Sequence, residues 1–323
     1  MKKWLAAGLW PLLVLTVWIA WAVARPDVDF DRTWPLGVAM LLGSFVAGAT
    51  SEGGGAIAFP VMTLLFAIPP AIARDFGLMI QTVGMGAAAA VILVRGTPLA
   101  TPALRLAAPA GALGLAFGLH YVAPVVSGPA VKLFFCALWG AFALAHHHAS
   151  KRGDVQVEAD VLSRPSSQVW LVVAGLIGGV VSSLVGTGLD IVVFAVLVLR
   201  LGVSETVATP TSVVLMAIGS ALGFALRASS GGPHPEAWAY WWTCVPVVVV
   251  GAPLGARFIE GKGRRFLSRL LYASVVAQAV GALVLLPLTP GLLAFAATTF
   301  VLGFVLFFGL ARPSARVAEV PSP

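Results

Sequence analysis

The stretch ATSEGGGAIAFP, residues 49–60, sets one glutamate and three consecutive glycines between two strongly apolar runs. In water this is an ordinary loop. At membrane depth it is broken backbone, tolerated only where it is buried in protein or lines a cavity. Its flanks, Leu36 to Thr50 and Ala56 to Ile68, are each about 13 to 15 residues long. At 1.5 Å per residue each covers roughly 20 Å, short of a hydrocarbon core about 30 Å thick. Pro69 and Pro70 close the unit. The pattern predicts two half-length helices joined by glycines, a re-entrant hairpin.

Composition decides the solvent. Of 323 residues, 59% are hydrophobic and 10% charged, and the mean hydropathy is +0.97. A soluble domain carries about 25% charged residues. The chain therefore reads as an all-α polytopic membrane protein. Its formal charge of +7 does not indicate nucleic acid, because the basic residues sit at the ends of apolar runs. Cys136 and Cys244 fall inside apolar segments and read as small buried thiols. The sequence holds no Cys/His cluster at zinc spacing, no Walker loop, no nucleophile elbow and no HExxH. It gives no reason to expect a cofactor, a metal, ATP drive or an enzyme.

Along the chain, Trp4 to Ala24 is long enough to span, and ends in AVA, a signal-peptidase-like site. Full spans are expected at about 72–94, 99–122 and 129–147. A long polar loop follows. The hairpin pattern then recurs: Trp170 to Val185 is apolar, GTGLD (186–190) interrupts, and Ile191 to Leu201 is apolar again. Further spans are expected at about 204–227, 236–257, 266–286 and 291–311. Shifting the chain by 133 sets Gly53 on Gly186, Gly55 on Gly188 and Gly86 on Gly219. The division is an N-terminal span and outer loop (1–35), a first repeat (36–147), a linker (148–168), a second repeat (169–311) and a tail (312–323).

Charge orients the model. With Lys2 and Lys3 inside, the linker and the segment holding Arg257, Lys262, Arg264, Arg265 and Arg269 also fall inside, as the positive-inside rule requires. Both termini are then cytoplasmic. Trp238, Trp241 and Trp242 suit an aromatic belt. Three spans separate the hairpins, so they enter from opposite faces as two inverted repeats. Interrupted segments at matching places in two halves point to a transporter binding site.

The tips suggest the chemistry. Gly53, Gly54 and Gly55, with Ser51 beside them, allow backbone N–H groups to converge on an anion; Gly186, Thr187 and Gly188 do so from the other side. Close helix packing explains any one of these glycines as well. Glu52 and Asp190 lie at the tips, where a carboxylate carries a coupling proton or bonds the tip's own N–H groups. Arg74 neutralises an anion or its neighbour Asp75, a third candidate for coupling, or snorkels to the interface. Gln81 lies deeper. Thr209, Thr211 and Ser212, around Pro210, offer hydroxyls to a ligand or to their own helix. Arg95, Arg105, Arg200 and Arg227 read as interfacial anchors, and His146 to His148 lack partners at metal spacing.

SEGGGAIAFPVMTLL and the later VGTGLD and VSETVATPTSVV resemble the TauE/SafE sulfite-exporter family over about residues 36 to 310. The most specific parts are Gly53-Gly54-Gly55 with Pro60, and Ala208-Thr209 with Thr211-Ser212. The resemblance implies a permease of the bacterial inner membrane that moves sulfite or an organosulfur or carboxylate relative. Family second copies carry a fuller glycine run followed by proline where this chain has GTGLDIVVF. Family first copies carry a Thr-Ser or Thr-Asn pair where it has RDFGLMIQ. The expectation is a secondary transporter working by alternating access, with a proton or sodium ion as coupling partner and lipid around it. An uncoupled anion channel and a cation or metal transporter are the alternatives.

Overall fold

Proline and glycine punctuate the chain, and the helices follow them. Pro70, Pro165, Pro235 and Pro290 each open a helix, where the ring's fixed φ suits the first turn and no N–H is lost. The computed structural model describes residues 2–24, 30–49, 58–150, 161–258, 264–286 and 288–311. Among them the regular elements are α1 (Lys2–Ala24), α2 (Phe30–Ala49), a first return arm (58–65, ending in the π-helical turn Val61–Leu65), α3 (Pro70–Arg95), α4 (Thr101–Phe117, continued by the π turn Gly118–Val122) and α5 (Gly128–Ser150). After the single turn Val161–Ser163 come α6 (Pro165–Val185), a second return arm made of α7 (Leu189–Ala195) and the π turn Val196–Arg200, then α8 (Glu205–Ser229), α9 (Pro235–Phe258), α10 (Arg264–Leu285) and α11 (Pro290–Leu310). No strand occurs among the described residues.

Seven helices among them are long and apolar enough to cross a membrane: α3, α4 with its π turn, α5, α6, α8, α9 and α11. α1 and α10 add shorter apolar stretches, Leu9–Ala24 and Tyr272–Leu285. The protein is an all-α multi-pass membrane protein.

The half-length entry arms expected from the sequence are corrected. α2 has 20 residues and α6 has 21, about 30 Å each at 1.5 Å per residue. Hydropathy stops at polar residues, but the helices do not: α6 starts at Pro165 and carries Ser166, Ser167 and Gln168 in its first turn. Only the return arms are short.

Contacts fix which ends lie together. Gly128 at the start of α5 packs on Pro70 at the start of α3. Arg227 near the end of α8 bonds Asp75 near the start of α3. These ends, with the start of α9, define one face. Thr33 of α2 meets Thr243 of α9, and Thr63 of the first return arm meets Lys132 of α5, so the first hairpin opens toward that face. On the opposite face His146 of α5 meets Glu205 of α8. Just before Glu205, the Arg200 guanidinium lies 5.5 Å from the Trp170 ring of α6, so the second hairpin closes there.

The packing is reciprocal. α2 runs along α9, while α6 runs along α4. Both pairs approach through glycine: a Cβ at Gly48 or Gly255 would strike backbone across the first pair, and one at Gly114 or Gly179 across the second. Small residues at membrane helix contacts let backbones come this close. α3 and α8 pack on each other between the hairpins. This exchange is compatible with an inverted pair of repeats.

The return arms end alike. Phe66 N–H donates to Val61 O at 3.1 Å and Ile68 N–H to Met62 O at 2.8 Å; Leu201 N–H donates to Val196 O at 3.0 Å and Val203 N–H to Leu197 O at 2.8 Å. The left-handed residue between them is Ala67 (φ 53°) in one arm and Gly202 (φ 68°) in the other. These pairs lie 135 residues apart, which corrects the shift of 133 read from the glycines. A shift of 135 sets Phe59 on Phe194, both buried, and Gly84 rather than Gly86 on Gly219.

Candidate functional site

The second tip is built from one serine, two glycines and an aspartate. α6 ends at Val185, and the chain turns through Gly186 (φ 81°) and Gly188 (φ 140°), a backbone that only glycine adopts readily. Gly186 N–H donates to Ser182 O at 2.8 Å, and Leu189 N–H to Ser182 Oγ at 2.9 Å. Asp190 Oδ1 accepts from Gly188 N–H at 2.9 Å and from Thr187 Oγ1 at 3.1 Å. The N–H groups of Gly186, Gly188 and Leu189 are therefore satisfied from within the tip rather than left open. Asp190 is 1% exposed, and its Oδ2 has no partner.

α3 forms the wall against this tip. A Cβ at Gly186 would lie 2.7 Å from Arg74 O. The Gln81 side chain donates from Nε2 to Gly77 O and to Gly186 O, each at 2.9 Å, while its Oε1 has no partner. Leu189 is enclosed by glycines on three helices: a Cβ at Gly111 of α4, Gly178 of α6 or Gly219 of α8 would come within 2.9 Å of it. Two buried oxygens without donors, Gln81 Oε1 and Asp190 Oδ2, thus flank one break in the backbone.

The other predicted side chains go elsewhere. Asp75, 1% exposed, accepts from Arg74, from Arg227 Nε and Nη2 at 3.1 Å, and from His234 N–H at 2.9 Å. This knot ties α3, α8 and the start of α9 at one face. Arg227 reads from sequence as an anchor; it is instead a partner of Asp75, and no local signal pairs residues 152 positions apart. Thr211 Oγ1 donates to Val207 O at 2.7 Å and accepts Ala100 N–H at 2.9 Å. Ser212 Oγ donates to Thr209 O at 2.9 Å. Thr209 is buried. The three hydroxyl residues lie on α8, and the first two spend their hydroxyls on backbone. Ser51, Glu52, Gly53, Gly54 and Gly55 lie outside the described residues.

Sequence reasoning passed over Ser182, whose backbone and side-chain oxygens both hold the second tip. Its signal was its place, one turn before the glycine break. It also passed over the set at the opposite face: His146 Nδ1 lies 3.0 Å from Tyr272 Oη and Nε2 3.2 Å from Glu205 Oε1, joining α5, α8 and α10. No group of three metal-ligating side chains occurs among the described residues.

A family model, the Sulfite exporter TauE/SafE family, matches residues 35–280. The chain belongs to that family of membrane transporters. Comparisons with curated proteins and with solved structures gave no match.

Proposed function

We propose that the protein is a secondary transporter that moves sulfite, or an organosulfur or carboxylate relative, across the bacterial inner membrane by alternating access. Family membership supports the anion. The face at which α5 and α9 end is cytoplasmic in this reading, because the chain's densest basic segment, Arg257 to Arg269, runs on in sequence from the last turn of α9.

The observation that carries the mechanism is the pair of partnerless oxygens at the second tip. Asp190 Oδ2 and Gln81 Oε1 only accept hydrogen bonds, or in the acid's case take up a proton. They suit a coupling proton better than an anion. Asp190 is then the coupling residue, Ser182 and Thr187 hold the tip that presents it, and Gln81 reports the tip's position to α3. The first tip, with Gly53 to Gly55 and Glu52, faces the anion. Under the 135-residue shift Glu52 corresponds to Thr187 and Asp190 to Gly55, so the two carboxylates are not equivalent and divide the work.

The test is sulfite flux into proteoliposomes under an imposed pH gradient. The wild type concentrates sulfite when the gradient is present. Asp190→Asn keeps downhill exchange and loses the response to the gradient. An unchanged response in Asp190→Asn removes the coupling role. Flux that never exceeds the sulfite gradient in the wild type identifies a channel. Sodium dependence without proton dependence assigns the two oxygens to a cation.

A further inference from the structure

A second set of unpaired polar groups lies away from the second tip, where the first return arm crosses α5 and α10. Lys132, Cys136 and Trp139 share one face of α5, at i, i+4 and i+7. Lys132 Nζ donates to Thr63 O of the return arm at 2.7 Å, and among the described residues no carboxylate pairs with it. Cys136 Sγ lies 3.8 Å from Gln278 O of α10. One turn on, a Cβ at Gly281 would lie 3.6 Å from Leu64, so α10 brings Gln278 to the same crossing. The Phe135 ring stacks on Trp139 and sits 5.2 Å from Phe59, which closes the crossing on its deep side.

Three side chains here are buried with polar atoms that bond nothing: Thr63 Oγ1, Trp139 Nε1, and both amide atoms of Gln278. Their residues are 1%, 0% and 7% exposed. Inside a membrane such atoms have no bulk water to bond and are retained where they meet a ligand, an ordered water or each other. An ammonium, an indole N–H and an amide NH2 are donors, the hydroxyl can donate, and Gln278 Oε1 is the one pure acceptor in the set; among the described residues no acid is bonded to any of them. Charge-assisted hydrogen bonds from several directions are what a compact oxyanion accepts. The second tip offers the opposite set, acceptors only.

We infer that Lys132, Trp139, Gln278 and Thr63 form a binding site for a small oxyanion of the sulfite class, beside the first hairpin and separate from Asp190. The inference rests on the transport reading above and places that reading's substrate.

The test uses the full chain in lipid nanodiscs, with thermal unfolding followed during sulfite titration, and flux measured in parallel. Sulfite raises the wild-type unfolding temperature saturably. Gln278→Leu removes an unpaired buried amide, so without sulfite it is at least as stable as wild type. Its half-saturating sulfite concentration rises on the order of tenfold or more, as expected for a lost hydrogen bond to a charged group. Lys132→Met loses the response and Lys132→Arg retains it. Trp139→Phe gives the same loss and serves if Gln278→Leu does not fold. Wild-type sulfite response in Gln278→Leu, Lys132→Met and Trp139→Phe overturns the site and leaves these atoms to a structural water only. No sulfite response or flux in the wild type overturns both this site and the transport reading.

Discussion

Gln81 reaches across 105 residues of sequence to donate a hydrogen bond to the carbonyl oxygen of Gly186, at 2.9 Å. The bond joins the middle of α3 to the broken backbone of the second hairpin. It makes the position of the tip depend on α3, which begins immediately after the first hairpin. Gln81→Leu removes it together with an unpaired oxygen. We expect a stability change of only about 1 kcal/mol, the net worth of one hydrogen bond, alongside a loss of sulfite flux of at least tenfold. Thermal unfolding and flux on one preparation separate the two effects.

The tip tolerates no added carbon at Gly186. Alanine there meets Arg74 O at 2.7 Å and must also hold φ 81°. The left-handed backbone alone costs about 1–2 kcal/mol, and the clash adds to it. Gly231 has φ 93° with open space around it. Gly231→Ala should therefore lose only the backbone term, while Gly186→Ala gives far less folded protein. Detergent-solubilised yield and unfolding temperature check the order.

Ala67 holds φ 53° where the second arm has Gly202. Glycine is the usual residue at this left-handed position after a helix end. The gain from relieving Ala67 is partly offset by the entropy of glycine in the unfolded chain. Ala67→Gly should stabilise the protein by about 0.5–1 kcal/mol, measured as a rise in unfolding temperature.

Asp75, itself buried, holds two partly exposed guanidinium groups. Removing it leaves both guanidinium groups without a counter-charge among the described residues, Arg227 keeping its bond to Gly232 O, whereas removing Arg227 leaves Asp75 with Arg74. Asp75→Ala should cost about 3–5 kcal/mol, and Arg227→Met clearly less. A double-mutant cycle between the two positions should give a coupling of about 0.5–3 kcal/mol.

Much of this was legible in the chain. The glycines of GTGLD marked the break at 186–188, because glycine acts through local backbone geometry, and the spans expected from about 72, 236 and 291 begin within two residues of Pro70, Pro235 and Pro290. The arm lengths were not, because a helix continues past the polar residues at which an apolar run ends. The repeat register was misread by two residues: it was anchored on Gly186 and Gly188, whereas the shared constraint is the π turn and left-handed residue at the end of each return arm. Asp190 had two readings in sequence; its Oδ1 bonds the tip's own Gly188 N–H, the second of them, and its Oδ2 has no partner. Gln278 was visible as a lone amide in the apolar run YASVVAQAVGALVL. Its meaning appears only when α10 lies against Thr63 and Lys132.

The most direct measurement is the initial rate of radiolabelled sulfite entry into proteoliposomes holding the wild-type protein, against increasing unlabelled sulfite, short carboxylates and divalent cations. The account predicts saturable entry, inhibited by sulfite and related anions and untouched by the cations. Entry no faster than in protein-free vesicles for sulfite and for every related anion, or uptake of the cations instead, contradicts it.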